Sequence, residues 1–486
     1  MFHLKNKFLS VTIYNPLLSV ALAVLFSMAF AFHPHGAWLL SLLVILYAMK
    51  QQRTLLAICS LVAWAYGVWT KPIYPEHTIQ GFALCSIHSI SSYKTHFARG
   101  YLCKGTLISL EADSQKAHRI PCSWNLPATE RPLSCSTYRI YGTLEKKQDQ
   151  WTWTAAEDLP WEPISENICL AEKRFNYKMS LLQKIKQLYP KPTIHAFLGA
   201  LTLGTSSDPL VRHAFNRLGL QHILAISGFH FGILTLALSL ILQRMCSIRW
   251  TWIILLCMAT LYFLLLGASP SITRAYLALV LYGAGHILQR TASPLNIFSA
   301  VLLIELLIDP QTILHSGFQL SFLATISILW LYPVALHLIT YVFPVRLPIR
   351  CCDRLIYALC TFFRTQISLN IAVHCTMIPV SLFVFGTFPI MSLAYNLYIP
   401  MATGLGLIAF VFSIPMHYIP YLGDYILKGT SIFLDRILHI VEEAPTCFDI
   451  SWTISSFSLS CLLVILWTLF LLPLFFQLKN DRICHV

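Results

Sequence analysis

The run Ser269-Pro270-Ser271-Ile272-Thr273-Arg274 sets one guanidinium close to three hydroxyls in the middle of apolar sequence. A guanidinium presents its donors in a planar fork that fits a phosphate or carboxylate, and a charge inside a membrane segment is costly enough to mark function by default. Arg274 is therefore the residue best suited to touch a phosphate; the rival account is a helix-end arginine whose head reaches lipid headgroups. Ser227-Gly228 and Ser269-Pro270-Ser271 both interrupt a helical pattern. Inside a bilayer such breaks survive only where they are buried or line a wet cavity, so they mark a conduit. Gly228-x-x-x-Gly232 equally suits close contact between helices.

Other polar groups fall in the same stretch. His213 and Arg217 lie one helical turn apart, with Arg212 beside them, and form either a basic ring at a mouth or a solvated helix face. His222 and His230 either touch cargo or are hydrogen-bonded packing residues. Gln319 and Ser321 can present an amide and a hydroxyl to a lumen. Asp309-Pro310 caps or ends a helix. Glu305, on the same helix side as Asp309, would repel a polyanion, which places it away from the path or beside a basic residue.

The elements that must hold these residues follow from composition. Of 486 residues 56% are hydrophobic and 11% charged, with a mean hydropathy of +0.65, against about 25% charged residues in soluble domains. That excludes a water-soluble fold. Apolar runs long enough to span a bilayer recur, and continuous ones such as Leu462 to Phe476 lack the alternation of a barrel strand, so the class is a polytopic α-helical membrane protein. Spans are predicted near Leu17 to Phe32, Gly36 to Met49 and Thr54 to Trp69, then near Leu218 to Leu242, Trp250 to Ala268, Ile272 to Leu288, Leu295 to Ile308, Phe318 to Thr340, Ile367 to Phe385, Leu393 to Ile414 and Phe457 to Phe476. Tyr418 to Glu443, interrupted by Asp424, Lys428, Asp435 and Arg436, either crosses or lies in the interface, and the parity of the basic loops favours one crossing. Lys5, Lys7, Lys50 and Arg53, and later Arg244, Arg249, Arg290, Arg346, Arg350, Arg354, Arg364, Lys479 and Arg482, put both termini in the cytoplasm by the excess of basic residues in inner loops. No cleavable signal peptide is read. The net charge of +13 reflects mostly such loops, and suits anionic lipid or a polyanion.

Three regions result: transmembrane helices over 1–70, a polar extracytoplasmic domain over 71–190, and a polytopic domain over 191–486. The middle one reads as mostly β. Residues 137–144 and 151–155 alternate in strand period around a polar turn, and 105–110 forms another strand. Trp151, Trp153, Tyr138 and Tyr141 interleave with Arg139, Lys146 and Lys147, a combination suited to stacking bases and pairing phosphates, although alternation would make one aromatic face core. Leu181, Leu182, Ile185, Leu188 and Tyr189 against Lys178, Lys184 and Lys186 describe an amphipathic helix for the membrane surface. Cys85, Cys103, Cys122, Cys135 and Cys169 predict one or two disulfides with open connectivity, and their spacing gives no metal site.

Four segments resemble the ComEC family of competence proteins: Ala214 to Gly232 with its core Leu224-Ala-Ile-Ser-Gly-Phe-His230; Leu264 to Ala275; Leu307-Ile-Asp-Pro310 with Ser316 to Thr325; and Pro379 to Pro400 with Phe385-Gly386 and Asn396. The resemblance implies a channel that carries single-stranded DNA across a bacterial inner membrane in natural transformation, with an OB-like outside domain. It implies as partners the DNA strand, membrane lipid, an extracytoplasmic DNA receptor and a cytoplasmic motor or single-strand-binding protein; a homo-oligomer stays open. No phosphate-binding Gly-x-x-x-x-Gly-Lys-Ser/Thr loop is found, in keeping with a separate motor. Two departures stand out. Leu203-Gly204-Thr205 lacks the basic residue that family members commonly carry there, and no His-x-His-x-Asp-His run of the family's metallo-β-lactamase-like domain occurs, so neither nuclease activity, cofactor nor metal is expected. A transporter or flippase for a small or lipid-linked solute, or a membrane-anchored binding protein, remains the alternative.

Overall fold

The computed structural model describes residues 16–32, 38–39, 41–42, 53–71, 78–94, 99–111, 118–127, 137–147, 150–155, 162–163, 170–205, 208–290, 292–344, 351–446, 449–454 and 457–483. It divides into two units, residues 69–181 and residues 1–68 with 182–486. Most of the predicted span at 36–49 lies outside the described residues, as do Cys135 and Cys169.

Residues 69–181 hold an antiparallel sheet of β1 (Ile79–Lys94), β2 (Arg99–Glu111), β3 (His118–Pro127), β4 (Thr137–Lys147) and β5 (Gln150–Ala155) in the order β3-β2-β1-β4-β5, with β6 (Glu162–Pro163) paired to β4. The two ends of that path, β3 and β5, also lie against each other. Period-two alternation turns Tyr138, Ile140 and Leu144 of β4 to one side, where they share a core with Ala83, Leu107, Ile120 and Trp153. The expected hairpin is β4 with β5, in register Leu144 to Trp153 and Lys147 to Gln150.

The other unit is helical. α1 (Pro16–Phe32) and α2 (Arg53–Thr70) come first; α3 (Leu170–Leu188) runs from one unit into the other. The apolar edge of α3 is not left for lipid: Leu182, Ile185 and the following Tyr189 are buried, with Leu182 packed on Gly199, while Lys184 and Lys186 stay exposed. After it come α4 (Pro192–Leu203), α5 (Pro209–Arg217), α6 (Gln221–Leu224), α7 (Gly228–Met245), α8 (Ile248–Leu266), α9 (Pro270–Ile287) and α10 (Pro294–Ile308). A 3₁₀ turn (Pro310–Leu314) leads to α11 (Ser316–Val342), α12 (Cys351–Phe385), α13 (Ser392–Tyr395), α14 (Ile399–Met416), α15 (Leu422–Glu442) and α16 (Leu459–Ile483). Short strands β7 (Thr387–Pro389) and β8 (Ser451–Thr453) pair with each other.

Among the described residues α7, α8, α11, α12 and α14 are long and apolar enough to cross a membrane. Large apolar side chains such as Leu236, Leu240, Trp250 and Leu261 are exposed on them, as lipid-facing positions require. Two expected segments differ. The stretch 218–242 is no single span: Gly219 (φ +68°) turns the chain after α5, and only after α6 and the break at 225–227 does α7 begin. Residues 422–442 form one amphipathic helix, burying Thr430, Leu434, Ile437, Leu438 and Val441 while Asp424, Lys428 and Arg436 stay exposed.

Candidate functional site

α7 starts at the serine-glycine break. Ser227, in extended conformation, caps it reciprocally with His230: the Ser227 backbone N–H donates to His230 Nδ1 at 3.2 Å and the serine hydroxyl lies 3.2 Å from the same nitrogen. This satisfies donors that a helix start leaves orphaned and makes Nδ1 an acceptor, leaving the ring proton on Nε2. His230 is 3% exposed. A Cβ on Gly228 would sit 3.7 Å from Ala275, so the first resemblance segment packs on the second beside Arg274.

A second polar cluster joins α6 to the fourth segment. The His374 ring in α12 bonds at Nδ1 to the Asn370 carbonyl (2.9 Å) and approaches Ser392 Oγ at Nε2 (3.4 Å). Asn396 donates to the same Ser392 oxygen at 2.7 Å, and Asn370 Nδ2 to the Leu393 carbonyl at 2.7 Å. His222 lies near the Gly219 backbone and within electrostatic reach of both His230 and His374. Those two histidines are buried, and His222 stands between them on the short helix α6. His374 and Ser392 were not singled out in the sequence; a histidine in the apolar run 371–380 is the signal that marks the first.

Arg274 stands on the first turns of α9, which Ser269, half-buried, precedes at the N-cap. It is 9% exposed, its guanidinium lies 5.3 Å from the ring centroid of Phe322, and its buried Nη1 has no hydrogen-bond partner among the described residues. Glu305 of α10 is 5% exposed and lies within electrostatic reach of Arg274, and among the described residues neither of its carboxylate oxygens has a hydrogen bond. Ser271 meets Ser321 of α11 at 3.5 Å between hydroxyl oxygens. Ser271 and Ser321 thus meet where α9 faces α11, Arg274 faces the same α11 through Phe322, and Glu305 lies within reach of Arg274. The arrangement is a buried cation with one donor unbonded among the described residues and a carboxylate in reach; an unbonded guanidinium donor is a group that can take up an anion.

Other candidates stand elsewhere. Arg217 donates Nη2 to the Ala444 carbonyl at 2.8 Å and faces Asp449 at 3.6 Å, tying α5 to the chain after α15, while His213 is exposed on α5. Gln319 donates to the Ile313 carbonyl at 2.8 Å, stapling the 3₁₀ turn, and borders a cavity of about 340 Å³. That cavity, walled by Phe26, Leu302, Phe322, Trp330 and Leu463 among others, is apolar, with Ser19 and Gln319 as its hydroxyl and amide. Phe322 separates it from Arg274.

In the β unit Arg139 lies over Phe82 at 4.4 Å. Trp153, 1% exposed, is core rather than a stacking platform: strand alternation turns it inward. The side chains of Lys146, Lys147 and Trp151, like those of Cys103 and Cys122, lie outside what is described, although their backbones are in β4, β5, β2 and β3. The disulfide expectation finds no support: Cys85 is buried in β1, and no disulfide is formed among the described cysteines. Among the described residues no three His, Cys, Asp or Glu group closely enough to hold a metal ion.

The family model described as Competence protein matches residues 201–479, more than half of the chain. ComE operon protein 3 of Bacillus subtilis (strain 168) is 34% identical over 169 residues, which cover 33% of this chain and 22% of that protein. The match thus takes in less than a quarter of the relative's length. No solved structure matches.

Proposed function

Because the chain belongs to the competence protein family, we propose that it takes up DNA as a channel, passing a single strand across a bacterial inner membrane during natural transformation. The observation that carries this reading is Arg274, a buried guanidinium with an unused donor where three of the four resemblance segments meet. A phosphate oxygen is the anion such a fork accepts best, and the adjoining hydroxyls of Ser271 and Ser321 can donate to it in turn. His222 on α6, within electrostatic reach of His230 on α7 and His374 on α12, adds a polar cluster to the same helical unit.

The β unit fits this reading as an OB-like module on the outer side. Its order β3-β2-β1-β4-β5, with β3 and β5 in contact, is what a five-stranded OB barrel needs, and such folds bind single strands by basic and aromatic side chains. Both termini lie in the cytoplasm in this proposal. Each phosphate moving into a negative interior opposes the potential by about 2.3 kcal/mol per 100 mV. A motor or strand-binding partner on the inner side therefore draws the strand in, and a receptor delivers it outside.

The apolar cavity behind Phe322 favours a second reading, a carrier of lipid-linked anions whose tail would fill it while the head meets Arg274. Gene deletion separates the two. The channel reading expects labelled DNA to stop reaching the cytoplasm while bound DNA stays at the surface; undiminished cytoplasmic label in the deletion strain sinks it.

A further inference from the structure

Two opposite charges in one buried place normally complete each other. Arg274 and Glu305 do not: Nη1 of the arginine and both oxygens of the glutamate are buried without a hydrogen bond, although each lies within reach of the other's charge. Among the described residues no other charged group is found to relieve them. α1 and the 3₁₀ turn, which pack on α10, carry no ionisable side chain, and the neighbour from α11 is the ring of Phe322. The pair is neutral as a whole, so it is tolerable in a low-dielectric interior, but its bonds are unmade and a third polar group can enter.

We propose that Glu305 determines the selectivity of the site: it is the resident counter-anion of Arg274, which an arriving phosphate has to replace. The inference rests on the reading that a strand passes Arg274. A lone chloride would have to displace the carboxylate with a single weak contact. A phosphate brings two oxygens that match the guanidinium fork, and the strand holds the next phosphate nearby at high effective concentration. The carboxylate thus closes the passage to small anions and yields to a polyanion, and Arg274 is never left in the interior without a partner charge.

The test uses the full chain reconstituted in vesicles loaded with potassium chloride, reading chloride efflux, with DNA uptake measured in cells carrying the same variants. Glu305→Gln is expected to raise chloride efflux by at least about fivefold, the lower end of a coupling between two sites. Arg274→Gln/Glu305→Gln is expected to return to the tightness of the wild type, because the guanidinium that attracts chloride is gone. Glu305→Asn is read in the same way should the glutamine variant fail to insert. Glu305 variants as tight as wild type overturn the proposal, and so does a double variant as leaky as the single one, since the leak would then be packing damage. Loss of the DNA reading is seen separately: deletion of the gene would leave uptake intact whatever the chloride traces show.

Discussion

Gly404 of α14 faces Ile233 of α7 so closely that a Cβ at position 404 would lie 2.3 Å from the isoleucine Cδ1 and 3.0 Å from Phe229 Cζ. The contact holds the helix that starts at Ser227-Gly228 against the one that opens with Ile399-Pro400. Alanine is the better helix former, by about 0.5–1 kcal/mol, but over-packing a close contact costs about 1–3 kcal/mol and wins. Gly404→Ala should therefore lower the thermal unfolding midpoint in detergent. Adding Ile233→Val, which removes Cδ1, should recover most of the loss; a double variant as unstable as the single one would contradict the contact.

The unmade pair of Arg274 and Glu305 makes a stability prediction distinct from its role in selectivity. Arg274→Met leaves a carboxylate buried without a counter-charge and is expected to cost about 3–5 kcal/mol. Replacing both, Arg274→Met/Glu305→Leu, removes two desolvated charges together and should be neutral or more stable by about 1–4 kcal/mol. DNA uptake should be lost in both. A double variant that unfolds as readily as Arg274→Met would show that the two charges are not coupled.

These pairs mark what the sequence could and could not tell. The breaks before α7 and α9 were legible because Gly, Pro and Ser interrupt apolar runs, and the hairpin of β4 and β5 because its residues alternate. In α15 the charges Asp424, Lys428 and Arg436 were legible as an interruption of apolar sequence. Parity of the basic loops pointed to a crossing, whereas the helix is amphipathic with those charges exposed. The start of α12 was not: Arg354 and Arg364 lower local hydropathy and read as a loop, while the backbone continues as helix from Cys351. Nor could spacing show that Glu305, 31 positions beyond Arg274, neighbours it, or that His374 reaches Ser392. Such contacts depend on how helices pack, which one-dimensional periodicity leaves open.

Two glycines with the same φ of +68° separate backbone strain from crowding. Gly204 ends α4 in the left-handed conformation, its N–H bonded to the Ala200 carbonyl, and the nearest neighbour to an added Cβ is the tip of Ile226 at 3.3 Å. Gly219 would place a Cβ 2.7 Å from Pro389 Cγ and 3.0 Å from Ser392 Cβ. Asparagine tolerates this backbone region better than other side chains. Gly204→Asn should thus stay within about 1 kcal/mol of wild type, whereas Gly219→Asn should cost about 1–3 kcal/mol more through crowding. Denaturation of the two variants side by side checks it, and equal stability would remove the Pro389 contact from the argument.

Trp153 decides whether an aromatic of the β unit serves the fold or the strand. Its ring is buried opposite Leu144 and cannot stack on a base without the sheet opening. Trp153→Ala is expected to cost about 3–5 kcal/mol, as large-to-small core changes do. Limited proteolysis of the full chain should then cut within residues 69–181, with DNA uptake falling because the unit unfolds. Trp153→Phe keeps an aromatic of smaller volume in the same slot, so resistance to proteolysis and uptake should both survive. Were Trp153→Phe protease-resistant and yet deficient in uptake, the indole would be contacting the strand, and the assignment of this residue to the core would have to be given up.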